Sequence, residues 1–119
     1  MSYSLLEQTS PAAATEQTLY AVPADKFAKL GSITICNASG AARTFRLAIV
    51  KGGGVTSAAN YIFYDQPLPF PGTVEWYQAE EVQLDATDVV RIYADSTGVG
   101  FTVIGKQELV ANSAAADEE

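Results

Sequence analysis

Apolar and polar positions alternate along most of this 119-residue chain, in short runs separated by turn-forming residues. The cleanest pair of runs lies between Leu30 and Lys51. Gly31, Ile33 and Ile35 fall on one face, and Leu30, Thr34 and Cys36 on the other. Successive side chains of a strand point to opposite sides, so this spacing predicts a half-buried β-strand. Asn37-Ala38-Ser39-Gly40 then supplies residues that reverse the chain cheaply, because Asn and Gly tolerate positive φ and Ser bonds its own backbone. The chain returns over Arg43–Lys51 with Phe45, Leu47 and Ile49 inward and Arg46 and Lys51 toward solvent. A lone hairpin is marginal in water, so this pair requires a second layer.

The same grammar recurs on both sides. Thr18–Val22 reads as a short strand closed by Pro23, which cannot donate to a ladder. Val55–Asn60 reads as one loose helical turn. Tyr61–Asp65 is an aromatic strand, ended by Gln66-Pro67-Leu68-Pro69-Phe70-Pro71-Gly72, whose prolines rule out a central strand. Thr73–Gln78 resumes β character, and Glu80–Leu84 reads as a separate short strand with Val82 and Leu84 inward. Val90, Ile92 and Ala94 alternate with Arg91 and Tyr93; Val99, Phe101 and Val103 line a last strand that fades near Leu109. Seven to eight short strands and no long helix predict an all-β fold, an antiparallel β-sandwich or jelly roll. Residues 1–17 lack a sustained period and read as an N-terminal arm. Residues 18–110 form the sandwich domain, and 111–119 an Ala-rich, acidic, disordered tail.

Composition narrows the function. Apolar residues make up 48% of the chain, yet no run approaches the roughly 20 residues of a membrane-spanning helix. The first residues lack the basic and long apolar stretches of a signal peptide, which points to synthesis in a cytoplasm. The single cysteine, Cys36, forms no internal disulfide and is expected to be a small core hydrophobe. The net charge of −7 argues against direct nucleic-acid binding. Much of it resides in Glu7, Glu16, Asp117, Glu118 and Glu119, leaving the central domain nearly balanced.

Candidate chemistry is sparse. The chain has no histidine, hence neither the usual general base nor the commonest metal ligand. Gly52-Gly53-Gly54 lacks the lysine and hydroxyl that complete a phosphate loop and reads as a plain connection. Asp85 and Asp88 bracket a turn that their side chains are expected to fix through backbone bonds. Glu80 and Glu81, being adjacent on a strand, point apart. No catalytic, cofactor-binding or metal-binding residue is singled out, and an enzyme is not expected. Trp76 and Tyr77 offer a sugar-stacking platform, the basis of a rival reading as a carbohydrate-binding module.

The succession Thr18–Ala24, Ile33–Asn37, Arg43–Ile49, Tyr61–Asp65 and Leu84–Ala94 resembles small virion proteins of tailed bacteriophages, over most of the chain between Ser10 and Gly105. The resemblance implies a structural role without catalytic residues. It implies a capsid decoration (cement) protein that binds the major capsid protein on the virion surface, or else a tail, baseplate or fibre component. Self-association into a dimer or trimer is expected, since a sandwich has open edges to cover. No membrane or nucleic-acid partner is expected. The candidate assembly interface comprises Leu5, Leu6, Pro11, Tyr20, Tyr61, Tyr64, Phe70, Trp76 and Tyr77, with the 1–17 arm reaching a neighbour by strand addition.

Overall fold

The computed structural model of the chain describes residues 3–110, apart from the side chains of residues 78–80. The disordered tail expected over 111–119 lies outside the described residues. Eight strands run in order: β1 (Ser4–Thr9), β2 (Gln17–Ala21), β3 (Lys26–Asn37), β4 (Arg43–Val50), β5 (Tyr61–Leu68), β6 (Gly72–Leu84), β7 (Val89–Ala94) and β8 (Val99–Leu109). Two 3-10 turns, Lys51–Gly53 and Ala58–Asn60, occupy the β4–β5 connection. The second falls inside the stretch that reads as a helical turn in the sequence.

All pairings are antiparallel, in two four-stranded sheets ordered β1-β8-β3-β6 and β2-β7-β4-β5. Neighbours in each sheet are mostly distant in sequence. That interleaving is the eight-stranded jelly roll, the more specific of the two architectures the sequence predicts.

The core is the layer between the sheets. Ile33, Ile35, Phe45, Leu47, Val90, Ile92, Val99, Phe101 and Val103 are almost wholly excluded from solvent. Each such side chain contributes about 1.5–3 kcal/mol relative to exposure. Phe45 packs against Phe63 and, edge-on, against Phe101, with ring centroids 5.2 and 6.2 Å apart. Tyr20 spans the layer: its hydroxyl donates to Gln107 Oε1 on the opposite sheet at 2.6 Å.

Several sequence expectations change. Leu30 is buried alongside Ile33 and Ile35, because the β3 register shifts between Leu30 and Ser32 against both its neighbours. A bulge at Gly31 inserts one residue and reverses the inward parity. Cys36 is exposed and not a core hydrophobe. Beyond the bulge, alternation places it opposite buried Ile35, and strand geometry overrides the residue type's liking for the interior. Thr73–Gln78 and Glu80–Leu84 belong to one continuous strand, β6, which absorbs its extra residues at the same shift between Leu30 and Ser32. Ser4–Thr9, inside the expected arm, pairs with β8 as a strand of the sheet.

The proline-rich segment enters β5 as far as Leu68, farther than expected. β5 is the outermost strand of its sheet, where the missing N–H of Pro67 is tolerated.

Asn37, at the end of β3, joins three segments. Its buried amide donates to the carbonyls of Ala41, Leu68 and Pro69 at 2.8, 3.0 and 3.3 Å. Its oxygen accepts from the Ser39 amide at 3.0 Å and the Ser39 hydroxyl at 2.7 Å. Gly98 closes on this hub at φ +85; a Cβ there would lie 2.8 Å from Ser39 Cα.

Candidate assembly surfaces

A two-layer sandwich leaves each sheet one outer face, and the exposed residues of this chain divide between them. On the β1-β8-β3-β6 face the register aligns Leu5, Ile104, Ser32 and Tyr77 in one row across four strands. Leu5 and Tyr77 are exposed at its two ends. Beside this row Tyr3 lies over Gly31 and its hydroxyl donates to Glu81. Lys106 Nζ pairs with Glu81 at 3.3 Å and sits 5.1 Å from the Tyr3 ring centroid. The Tyr3 hydrogen bond holds the Glu81 carboxyl below its usual pKa, and the same bond pushes the Tyr3 phenol up.

The β2-β7-β4-β5 face is organised by two arginines at outward positions of β4 and β7. The Arg46 guanidinium is held between the Tyr64 and Tyr93 rings, 4.3 and 4.2 Å from their centroids. It also binds Asp65 through two nitrogens at 2.6 and 3.3 Å, and this hydrogen bonding raises its pKa further. Arg91 donates to the Gly53 and Gly54 carbonyls and to Thr56 Oγ1, fixing the loop between the two 3-10 turns. Beside it, Thr56, Ser57, Ala58, Tyr61 and Tyr64 line an open depression of about 410 Å³. Tyr61 and Tyr64 meet edge-to-face across 4.8 Å.

The residues expected at an interface do not form one patch. Leu5, Tyr64, Phe70 and Tyr77 are exposed and Tyr61 partly so, but on different strands and faces. Pro11 and Tyr20 are buried in the chain's own interior. Leu6 and Trp76 are partly buried against the core. Trp76 thus points inward and Tyr77 outward, and they do not form a common stacking platform. The arginine–tyrosine stack and the Tyr3 contact escape a linear reading, because β4, β5 and β7 on one face, and β8, β3 and β6 on the other, become neighbours only through the sheet order.

The groups weighed for chemistry serve structure. Asp88 is buried, and its carboxylate accepts from the amides of Gly52 and Asp85 at 2.8 and 2.9 Å. Gly52 and Gly53 take positive φ of 70° and 72° in the turn that Asp88 fastens. Among the described residues no three His, Cys, Asp or Glu side chains cluster as metal ligands would.

No family model matches the chain, and no curated protein matches it. Several solved structures are similar. A chain of the acid-stable capsid of Helicobacter pylori bacteriophage KHP30 is 11% identical, with a TM-score of 0.49 over 91% of this chain and 87% of that one. A pentameric capsid protein from metagenomic phage sequences is 15% identical, with a TM-score of 0.39 over 87% of this chain and 62% of that one. VP2 of infectious bursal disease virus gives 11% identity and a TM-score of 0.27, over 99% of this chain and 42% of that one. At these identities and scores it is the strand order of the chain itself, not the likeness, that defines the fold.

Proposed function

We propose that this protein is a structural component of a tailed-bacteriophage virion, a capsid decoration (cement) protein bound to the lattice of the major capsid protein. The observation that carries the reading is the strand order β1-β8-β3-β6 against β2-β7-β4-β5. Jelly rolls of eight strands serve chiefly as capsid proteins, as lectins and as cupins. A cupin site leans on histidine, and this sequence has none. A lectin site asks for aromatic rings on a common face, and Trp76 and Tyr77 alternate across their strand. An adhesive block asks for less: a rigid core and outer faces that present apolar and aromatic groups among paired charges. A fold alone does not fix a function, and the segment-by-segment resemblance to small phage virion proteins is a second support for the reading.

The mechanism is additive. Each copy buries about 1,200–2,000 Å² against capsid subunits, and many copies on a closed lattice resist its expansion. Leu5, Tyr77, Tyr64 and Phe70 are the exposed anchors available for such contacts. Cryo-electron microscopy of the intact particle tests the proposal. Density for this sandwich on the shell, bridging capsid subunits, is the expected result. Density confined to the tail or baseplate would move the protein to that assembly, and absence from purified particles would end the virion reading. A glycan array is expected to give no selective binding; a reproducible sugar preference would favour the lectin use of the fold.

A further inference from the structure

We propose that β1 is an exchangeable strand: one copy of this chain donates Ser4–Thr9 to the β8 edge of a second copy and receives the partner's segment in return. β1 is the outermost strand of its sheet and is bonded on one side only, to β8. None of its six residues is buried, and Leu6 alone packs against the core, from a register shift between Leu5 and Glu7. The two inner strands of the same sheet, by contrast, each deliver several wholly buried side chains. β1 is therefore held by its ladder hydrogen bonds to β8, by Leu6 and by the bond from Gln17 Nε2 to Thr9 Oγ1, with the Tyr3 contacts to Glu81 and Lys106 directly ahead of it.

The chain behind β1 is pinned independently. Pro11 is buried, and the Ala14 amide donates to the Ala94 carbonyl at 2.8 Å. Exposed Ser10 separates this anchor from the strand, and a residue preceding proline favours extended backbone. The arm thus has a natural pivot directly ahead of a fixed point.

The molecule itself identifies the occupant. The β8 edge receives this segment in a defined register, Ser4 opposite Gly105 and Thr9 opposite Phe101. The receptacle is bare where the segment lies closest. A Cβ at Gly31 would stand 3.1 Å from Tyr3 Cε1; one at Gly105 would meet the Lys29 carbonyl at 2.5 Å first and Leu6 Cδ1 at 3.0 Å. A segment donated by a partner makes the same contacts, so closed and exchanged forms differ only at the pivot and in the entropy of association. A short tether gives the chain's own β1 an effective concentration of order millimolar, so exchange takes over where copies are crowded to that density. The inference needs only two copies and stands apart from the virion reading.

Disulfide trapping tests it. Gln8 and Thr102 are ladder partners, and Cys36→Ser removes the competing thiol. In that background, Gln8→Cys and Thr102→Cys together in one chain should lock the closed form. The two single variants, mixed at about 1 mM and oxidised, should give a dimer with a mapped Gln8–Thr102 linkage, lost when mixing is done at about 10 µM. Absence of that linkage at the higher concentration, when the double variant locks within one chain, overturns the proposal. A second measurement covers a double variant that fails to lock. A fluorescent peptide of residues 3–10 should bind the intact protein saturably, and its Leu6→Lys version should not. No binding, or equal binding by both peptides, overturns the proposal.

Discussion

The Asp88 carboxylate accepts the Gly52 amide at 2.8 Å, fastening the turn before β7 to the turn after β4. It also accepts the Asp85 amide at 2.9 Å and lies 3.7 Å from Lys51 Nζ. Asp88→Ala strands two backbone donors, and hydrogen bonds to a charged acceptor are worth about 1.5–3 kcal/mol. The expected loss is about 2–3 kcal/mol, read as a lower urea midpoint at unchanged m. Lys51→Ala, at an exposed position, should cost no more than about 0.5 kcal/mol.

Asn37→Ala removes a buried side chain that satisfies groups in the Ser39–Ala41 turn and at Leu68 and Pro69, and a loss of about 2–4 kcal/mol is expected. Asn37→Asp is the sharper experiment. It replaces a donor that faces the carbonyls of Ala41, Leu68 and Pro69 by a carboxylate oxygen. The fold then favours the protonated acid, so this variant should gain stability relative to the parent as pH falls. Thermal melts between pH 7 and pH 4 read the difference; parallel curves for the two proteins would contradict the assigned hydrogen bonds.

Burial raises the pKa of the Tyr20 phenol, so the folded state favours its neutral form. That contribution is complete below the ordinary tyrosine value near pH 10 and is lost as pH rises through the raised folded value. Tyr20→Phe, lacking the bond to Gln107, should be less stable than the parent by about 1 kcal/mol at neutral pH. The gap should narrow above pH 10. A gap that stays constant to pH 11 would mean that Tyr20 ionises equally well folded and unfolded.

Arg46→Lys keeps the charge but loses the planar fork that binds Asp65 through two nitrogens and stacks between Tyr64 and Tyr93. A cost of about 0.5–1 kcal/mol is expected at this partly exposed site, with Arg46→Ala costing more. Chemical denaturation in low and high salt separates the parts, since salt screens the ion pair more than the stacking.

The inner strands were most legible where alternation is regular: β7 from Val90, β8, and β4 as far as Leu47 run as their apolar positions imply, whereas past Leu47 the parity of β4 shifts, burying Ala48 and Val50 and leaving Ile49 only partly covered. Bulges hid the rest. At Gly31 a single inserted residue turns Leu30 inward, and between Leu5 and Glu7 another leaves Leu6 as the sole inward side chain of β1. An edge strand with one core contact carries almost no periodic signal, so Ser4–Thr9 read as arm. Asn37 looked like a turn former; its role as a hub depends on Leu68, which is brought beside it only by the sheet order. The exposed aromatics were recognisable as a set, but their separation onto two faces followed from β4, β5 and β7 coming together.

Ser4 pairs with Gly105, four positions short of the end of β8. The entrance and exit of the described fold therefore share one corner of one sheet, within roughly 15–20 Å by strand geometry. Probes attached at Ser4 and at Leu109 would both stand at that corner, so a copy seated with it against a surface would hide both at once. A copy seated the other way up would present both outward, and a single label position at each end is enough to read the molecule's orientation.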